Sequence, residues 1–220
     1  MSAAVIQLLV LAGIAIFLIL RLRAVLGTRD GFEKKPKAEI TSSRSDPRPD
    51  FEVIEGGVDH DIADHVQEGT EAAKALAAMK KVESGFNVGE FLLGARGAYE
   101  MILMAFERGE IKNVRPFMSE DVYDTFADVI AQREEQGLIV EAEFIGLREN
   151  ALDTAEFDRS TREAELTVRF VAELTSVVRN SDGEIIEGNP NEHKRQRDIW
   201  TFSRIMGSND PNWRLVATGG

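Results

Sequence analysis

Apolar and polar positions follow three rhythms along this chain. The first is unbroken: Ala3 to Leu20 carries no charged residue. Eighteen residues at about 1.5 Å each make a helix of roughly 27 Å, long enough to cross a hydrocarbon core. The second rhythm is helical. From Asp59 a weak apolar face (Ile62, Val66, Ala73, Leu76) predicts two short helices, broken at Gly69 and Thr70. A stronger face over Phe86 to Arg108 places Val88, Phe91, Leu92, Ala95, Tyr99, Ile102, Leu103 and Phe106 at three- and four-residue intervals, with Gly109 as a stop. Ser119 then caps a further helix carrying Val122, Phe126, Val129 and Ile130, which stops at Gly137. Beyond Gly137 the period falls to two. Val140, Ala142 and Phe144 alternate with glutamates, and Ala164 to Leu174 alternate with polar residues. Asn180 to Gly183 reads as a hairpin turn, and strands are predicted over Lys194 to Arg204 and Trp213 to Thr218. Helices first and antiparallel strands after is an α+β order.

The pattern divides the chain into four parts: an anchor over 1–24, a linker over 25–58, a helical connector over 59–83 and a folded domain over 84–220. Pro36, Pro47, Pro49, Gly56 and Gly57 mark the linker. The basic residues after the apolar run, Arg21, Arg23, Arg29, Lys34, Lys35 and Lys37, lie on the wrong side for a cleaved signal. By the positive-inside rule they place the domain in the cytoplasm, and they are the candidate membrane contacts. The connector suits either a membrane-surface helix or a helix packed on the domain, and its alanine-rich face favours packing. Gly94 and Gly97 predict the close approach of another backbone to that face of the long helix.

Net charge is −12, and residues 21–50 hold eight Arg or Lys against five Asp or Glu, so the remainder is more acidic than the whole. Such a domain is ill suited to neutralising phosphates, which argues against a nucleic-acid partner. No cysteine is present, which removes disulfides, thiolate nucleophiles and cysteine metal sites. His60 and His65 are five apart and do not share a helical face as a zinc pair would. No phosphate loop and no acid–base set is evident, so no catalytic residue, metal ligand or cofactor is expected. If the domain is an enzyme after all, Tyr99, Tyr123 and Asp198 are its only polar nominees. An apolar pocket is expected where helices lean on a curved sheet, with Phe91, Tyr99, Phe106, Phe144, Phe170, Trp200, Phe202 and Trp213 as candidate lining. The alternative for each of these is ordinary core.

The stretches FLLGARGAYEMILMAFERGE (91–110), RPFMSEDVYDTFADVIAQREEQG (115–137), AELTVRF (164–170), DGEIIEG (182–188), DIWTFSR (198–204) and DPNWRLVAT (210–218) together resemble the Tim44-like domain family. With its apolar N-terminal run followed by RLRAVLGTRDGFE, the whole chain is similar to the bacterial TimA-type members. The resemblance implies a cone similar to nuclear transport factor 2, with helices in the concavity of an antiparallel sheet around an apolar pocket. It implies a single-pass membrane adaptor that binds a protein partner or an apolar segment, in protein translocation or membrane-protein assembly. The alternative is a cone that binds a lipid or small molecule, or acts on one.

Overall fold

The computed structural model describes residues 59–219. The predicted anchor, the linker and the six basic contact residues lie outside them. Among the described residues no helix is long and apolar enough to cross a membrane.

Three α-helices longer than one turn form on local signals. A single turn, α1 (His60–Ala63), is capped by Asp59. Thr70 accepts from the Ala73 N–H and starts α2 (Glu71–Val82). Asn87 accepts from the Glu90 N–H and starts α3 (Val88–Glu107). Each such cap satisfies a helix N–H that has no partner within the helix. A 3₁₀ segment (Ile111–Phe117) leads to Ser119, which caps α4 (Glu120–Glu135). Gly109 and Gly137 take φ of 74° and 65°, the left-handed values that let a helix end and the chain turn away.

Five strands follow: β1 (Ile139–Phe157), β2 (Glu163–Arg179), β3 (Ile185–Gly188), β4 (Lys194–Ile205) and β5 (Arg214–Gly219). They form one antiparallel sheet in the order β1-β2-β4-β5, with β3 paired to the far end of β2. The Asn180 side chain accepts from the Asp182 and Glu184 N–H groups at the predicted hairpin turn. β1 slips register three times, after Phe144, Leu147 and Leu152. Each irregularity bends the strand, and together they curve the sheet around the helices.

The concave face buries Leu166, Val168, Phe170, Trp200 and Phe202 against Val88, Tyr99 and Ile102 of α3. Tyr99 and Phe170 stack with centroids 4.3 Å apart. The Asn150 side chain donates to the Leu92 carbonyl at 2.9 Å and ties β1 to α3. α2 belongs to the same core: Leu76 and Met79 are fully buried. Its end is fastened twice more. Lys80 pairs with Asp59 and Asp61, and Glu83 pairs with Arg204 of β4.

Gly94 and Gly97 depart from the expectation. Among the described residues no heavy atom outside the helix's own backbone lies within 4 Å of where a Cβ would sit at either position, so no neighbouring backbone approaches them there. Their helical conformation is one that alanine prefers. Gly94→Ala and Gly97→Ala should each raise stability by about 1 kcal/mol, and thermal melts of the two variants check this. A loss of stability at either site would mean that something is packed there after all.

Candidate functional site

The open face around Gly94 is one wall of a cleft of about 420 Å³. The three- and four-residue spacing of α3 puts Glu90, Gly94, Ala98 and Met101 in one row along it. Phe117 of the 3₁₀ segment and Pro211 to Trp213 of the β4–β5 turn form the opposite side. Phe86 and Phe91 contribute rings, and Phe202 and Arg204 of β4 reach it from the sheet. Small side chains on α3 and large ones across from it leave the depression. Phe91 packs edge-on against Trp213 at 4.8 Å and against Phe202 at 6.0 Å, which fixes the aromatic wall.

The eight expected lining residues therefore separate. Phe91, Phe202 and Trp213 line the cleft. Tyr99, Phe170 and Trp200 lie in the core behind it, 0–4% exposed. Phe144 packs against the core and meets the Tyr99 ring edge-on, with centroids 6.4 Å apart. Phe106 faces α4, packed on Phe126 at 4.7 Å beneath the Arg133 guanidinium. Size alone picked out these aromatics, and size does not tell the floor of a cleft from the core beneath it. Among the residues missed were Glu83, Asn87, Glu90, Gly94, Ala98, Met101, Phe117 and Arg204. Two signals were present: small residues four apart at Gly94 and Ala98, and a charged residue at the inward parity of β4, after Trp200 and Phe202.

The electrostatics are concentrated at one end. Arg204 Nη2 donates to Glu83 Oε1 at 2.8 Å, and Glu83 Oε2 accepts from the Gly207 N–H at 2.9 Å. Burial pushes the Glu83 carboxyl up, but Arg204 and the Gly207 N–H outweigh it and hold the carboxyl below its ordinary value. The Arg204 guanidinium sits 5.1 Å from the centre of the Trp213 ring.

The three enzyme nominees do not line the cleft. Tyr99 donates to Asp198 Oδ2 at 2.6 Å in the core, and Gln196 donates to Oδ1 at 3.3 Å. Burial raises the Asp198 carboxyl against the pull of those two bonds. Burial also raises the Tyr99 phenol, and its bond to Asp198 raises it further. Tyr123 lies on α4 under Arg115, 4.7 Å away. Tyr99 and Asp198 form a structural hydrogen bond across the core, with α3 on one side and β4 on the other.

The described residues form an α+β domain in which helices pack on a curved antiparallel sheet, with an open cleft beside α3. Residues 72–220 match the Tim44-like domain family, and the chain belongs to it. It is 27% identical over 150 residues to the mitochondrial import inner membrane translocase subunit TIM44 of Homo sapiens, covering 67% of this chain and 33% of that protein. It is 23% identical over 163 residues to the probable mitochondrial import inner membrane translocase subunit tin-44 of Caenorhabditis elegans, covering 73% of this chain and 38% of that protein. The chain thus spans about a third of the length of these relatives. Among solved structures, the intermembrane space region of chloroplast protein ARC6 aligns over 60% of this chain and 92% of that one, at 11% identity and a TM-score of 0.39.

Proposed function

We propose that this protein is a membrane-tethered adaptor in protein translocation or membrane-protein assembly. Its Tim44-like domain binds an apolar segment of a partner or client polypeptide in the cleft beside α3. The observation that carries this reading is the cleft itself, walled by rings and left open by Gly94 and Ala98. Met101 lines it, and Leu93, about two turns earlier on the same helix, stands 70% exposed, so apolar surface is also present outside the cleft. Ala3 to Leu20 would hold the domain at the cytoplasmic face of a bacterial inner membrane as a single span. Confinement there raises the effective concentration of the domain against membrane-bound partners, so that weak contacts suffice.

Two experiments test the reading. A photoreactive side chain in place of Met101, in the full chain in intact cells, should give adducts with polypeptide, and the same label at exposed Glu187 should not. Adducts with lipid alone, or none, would reject the segment-binding role. Deleting residues 1–20 should release the protein from carbonate-washed membranes. If it still pellets, the anchor is wrong.

A second reading has one observation in its favour: about 420 Å³ lies within the range of small-ligand sites. A bound lipid seen in native mass spectra of the full chain would support it.

A further inference from the structure

The inner end of the cleft holds a donor that the fold does not satisfy. The Arg204 side chain is 7% exposed. Its Nη2 is used by Glu83 Oε1 and approaches Met206 Sδ at 3.4 Å, whereas its Nε is buried with no acceptor among the described residues. Native proteins rarely leave such an N–H unpaired, so this one calls for an explanation. The Trp213 indole covers the guanidinium. That cover is lightly held. The hydrogen bonds of Ser208 to Asn212 stay within the turn or return to Ile205. Trp213 itself is held by ring contacts with Phe86 and Phe91.

The charges around this N–H select what can reach it. Glu83 already balances Arg204, and Glu90 lines the cleft with no ion pair among the described residues. A carboxylate or phosphate entering here meets two carboxylates and one guanidinium already committed. A neutral carbonyl meets only the free N–H, and a cation next to it meets Glu90.

We propose that the cleft recognises an apolar polypeptide segment flanked by a basic residue, one main-chain carbonyl accepting from Arg204 Nε as the Trp213 ring moves aside. This rests on the reading of the cleft as a segment-binding site and names what that site selects.

The test uses the full-length protein in nanodiscs of phosphatidylcholine. The probe is an amidated decapeptide of Leu and Ala with one Phe and one Lys, labelled for anisotropy. Wild type should bind it and change its tryptophan emission, and Trp213→Phe should lose that change. Arg204→Lys keeps a cation for Glu83 but has no Nε–H, and should bind about tenfold more weakly. Glu83→Gln/Arg204→Met should lose the same amount. Replacing the peptide lysine by norleucine should weaken binding to wild type about threefold and leave Glu90→Gln unaffected. Gly94→Leu, which fills the cleft, should abolish binding. If Arg204→Lys binds as tightly as wild type while Gly94→Leu does not bind, the Arg204 inference fails and the cleft reading stands. If the peptide does not bind wild type, or binds Gly94→Leu equally well, the cleft reading itself fails. If sodium laurate displaces the peptide at lower concentration than unlabelled peptide does, and Arg204→Lys weakens laurate instead, the occupant is an anionic amphiphile and the proposal is overturned.

Discussion

Phe170→Ala is expected to destabilise the domain by about 4 kcal/mol, the range for truncating a fully buried aromatic ring. The side chain is 0% exposed. It stacks on Tyr99 at 4.3 Å and meets the edges of Trp200 and Phe202 at 6.0 and 6.5 Å. No single neighbour can collapse into the space, because each of these rings is fixed from another side. Tyr99 is held to Asp198, Phe202 to Phe91, and Trp200 to Tyr99. The cavity therefore stays open, and its cost adds to the lost transfer energy. A urea titration should show the midpoint fall with little change in slope. The melting temperature should drop by roughly 10 °C. Phe170→Leu, which keeps most of the volume, should cost less than half as much. A loss below about 2 kcal/mol for alanine would mean that the sheet does not close on α3 at this point. The cleft should weaken as well, since Phe202 forms part of its wall and leans on Phe170.

That centre was legible in the sequence, and the cleft was not, for reasons that particular residues make plain. Phe170, Trp200 and Phe202 keep the parity of two-residue alternations that Val171 and Ile199 interrupt but do not shift, so their inward direction follows from that parity. The caps at Ser119 and the stops at Gly109 and Gly137 are local chemistry and were read directly. β1 was harder. Its alternation fails after Phe144, where Ile145, Arg148 and Asp153 fall at the register slips, and so 19 residues of strand looked like a short one. Bulges are tertiary devices that curve a sheet, and they erase the periodicity from which strands are read. The cleft depends on the row of α3 that nothing covers. Gly94 lies in that row and Gly97 beside it, but two glycines on a helix suggest close packing and open space equally well. Only the surroundings decide, and here the surroundings are empty. The contacts that fasten α2 to the sheet, such as Glu83 with Arg204, join residues 121 positions apart and leave no local trace.

Asp61→Ala is the second large effect, expected at about 2–3 kcal/mol, because one carboxylate serves three groups. It accepts from the Val88 N–H at 2.9 Å and the Gly89 N–H at 3.1 Å, in the first turn of α3, and it pairs with Lys80 at 2.7 Å. Alanine would leave two helix N–H groups without their acceptor and Lys80 with Asp59 alone. The side chain is 17% exposed, so water cannot fully replace it. The effect has a pH signature. Burial pushes the Asp61 carboxyl up, but Lys80 and the two N–H groups overcome this and hold it below the ordinary aspartate value of about 3.9. A carboxyl depressed by folding stabilises fully above its unfolded value, and that contribution fades as pH falls through the folded one. Asp61→Asn keeps an acceptor oxygen and loses the charge. Its deficit against wild type should be about 1–2 kcal/mol at pH 7 and should shrink steadily below about pH 4. Asp198 must behave in the opposite sense. Burial raises its carboxyl, so its ionisation opposes folding. Asp198→Asn, which can still accept from Tyr99, should gain on wild type as pH rises from 4 towards 7. Denaturant midpoints of the two variants across that range should thus diverge in opposite directions. A pH-independent deficit for Asp61→Asn would show that its carboxylate carries no charge-dependent load, and the clamp joining the connector to the first turn of the cleft helix would have to be sought elsewhere.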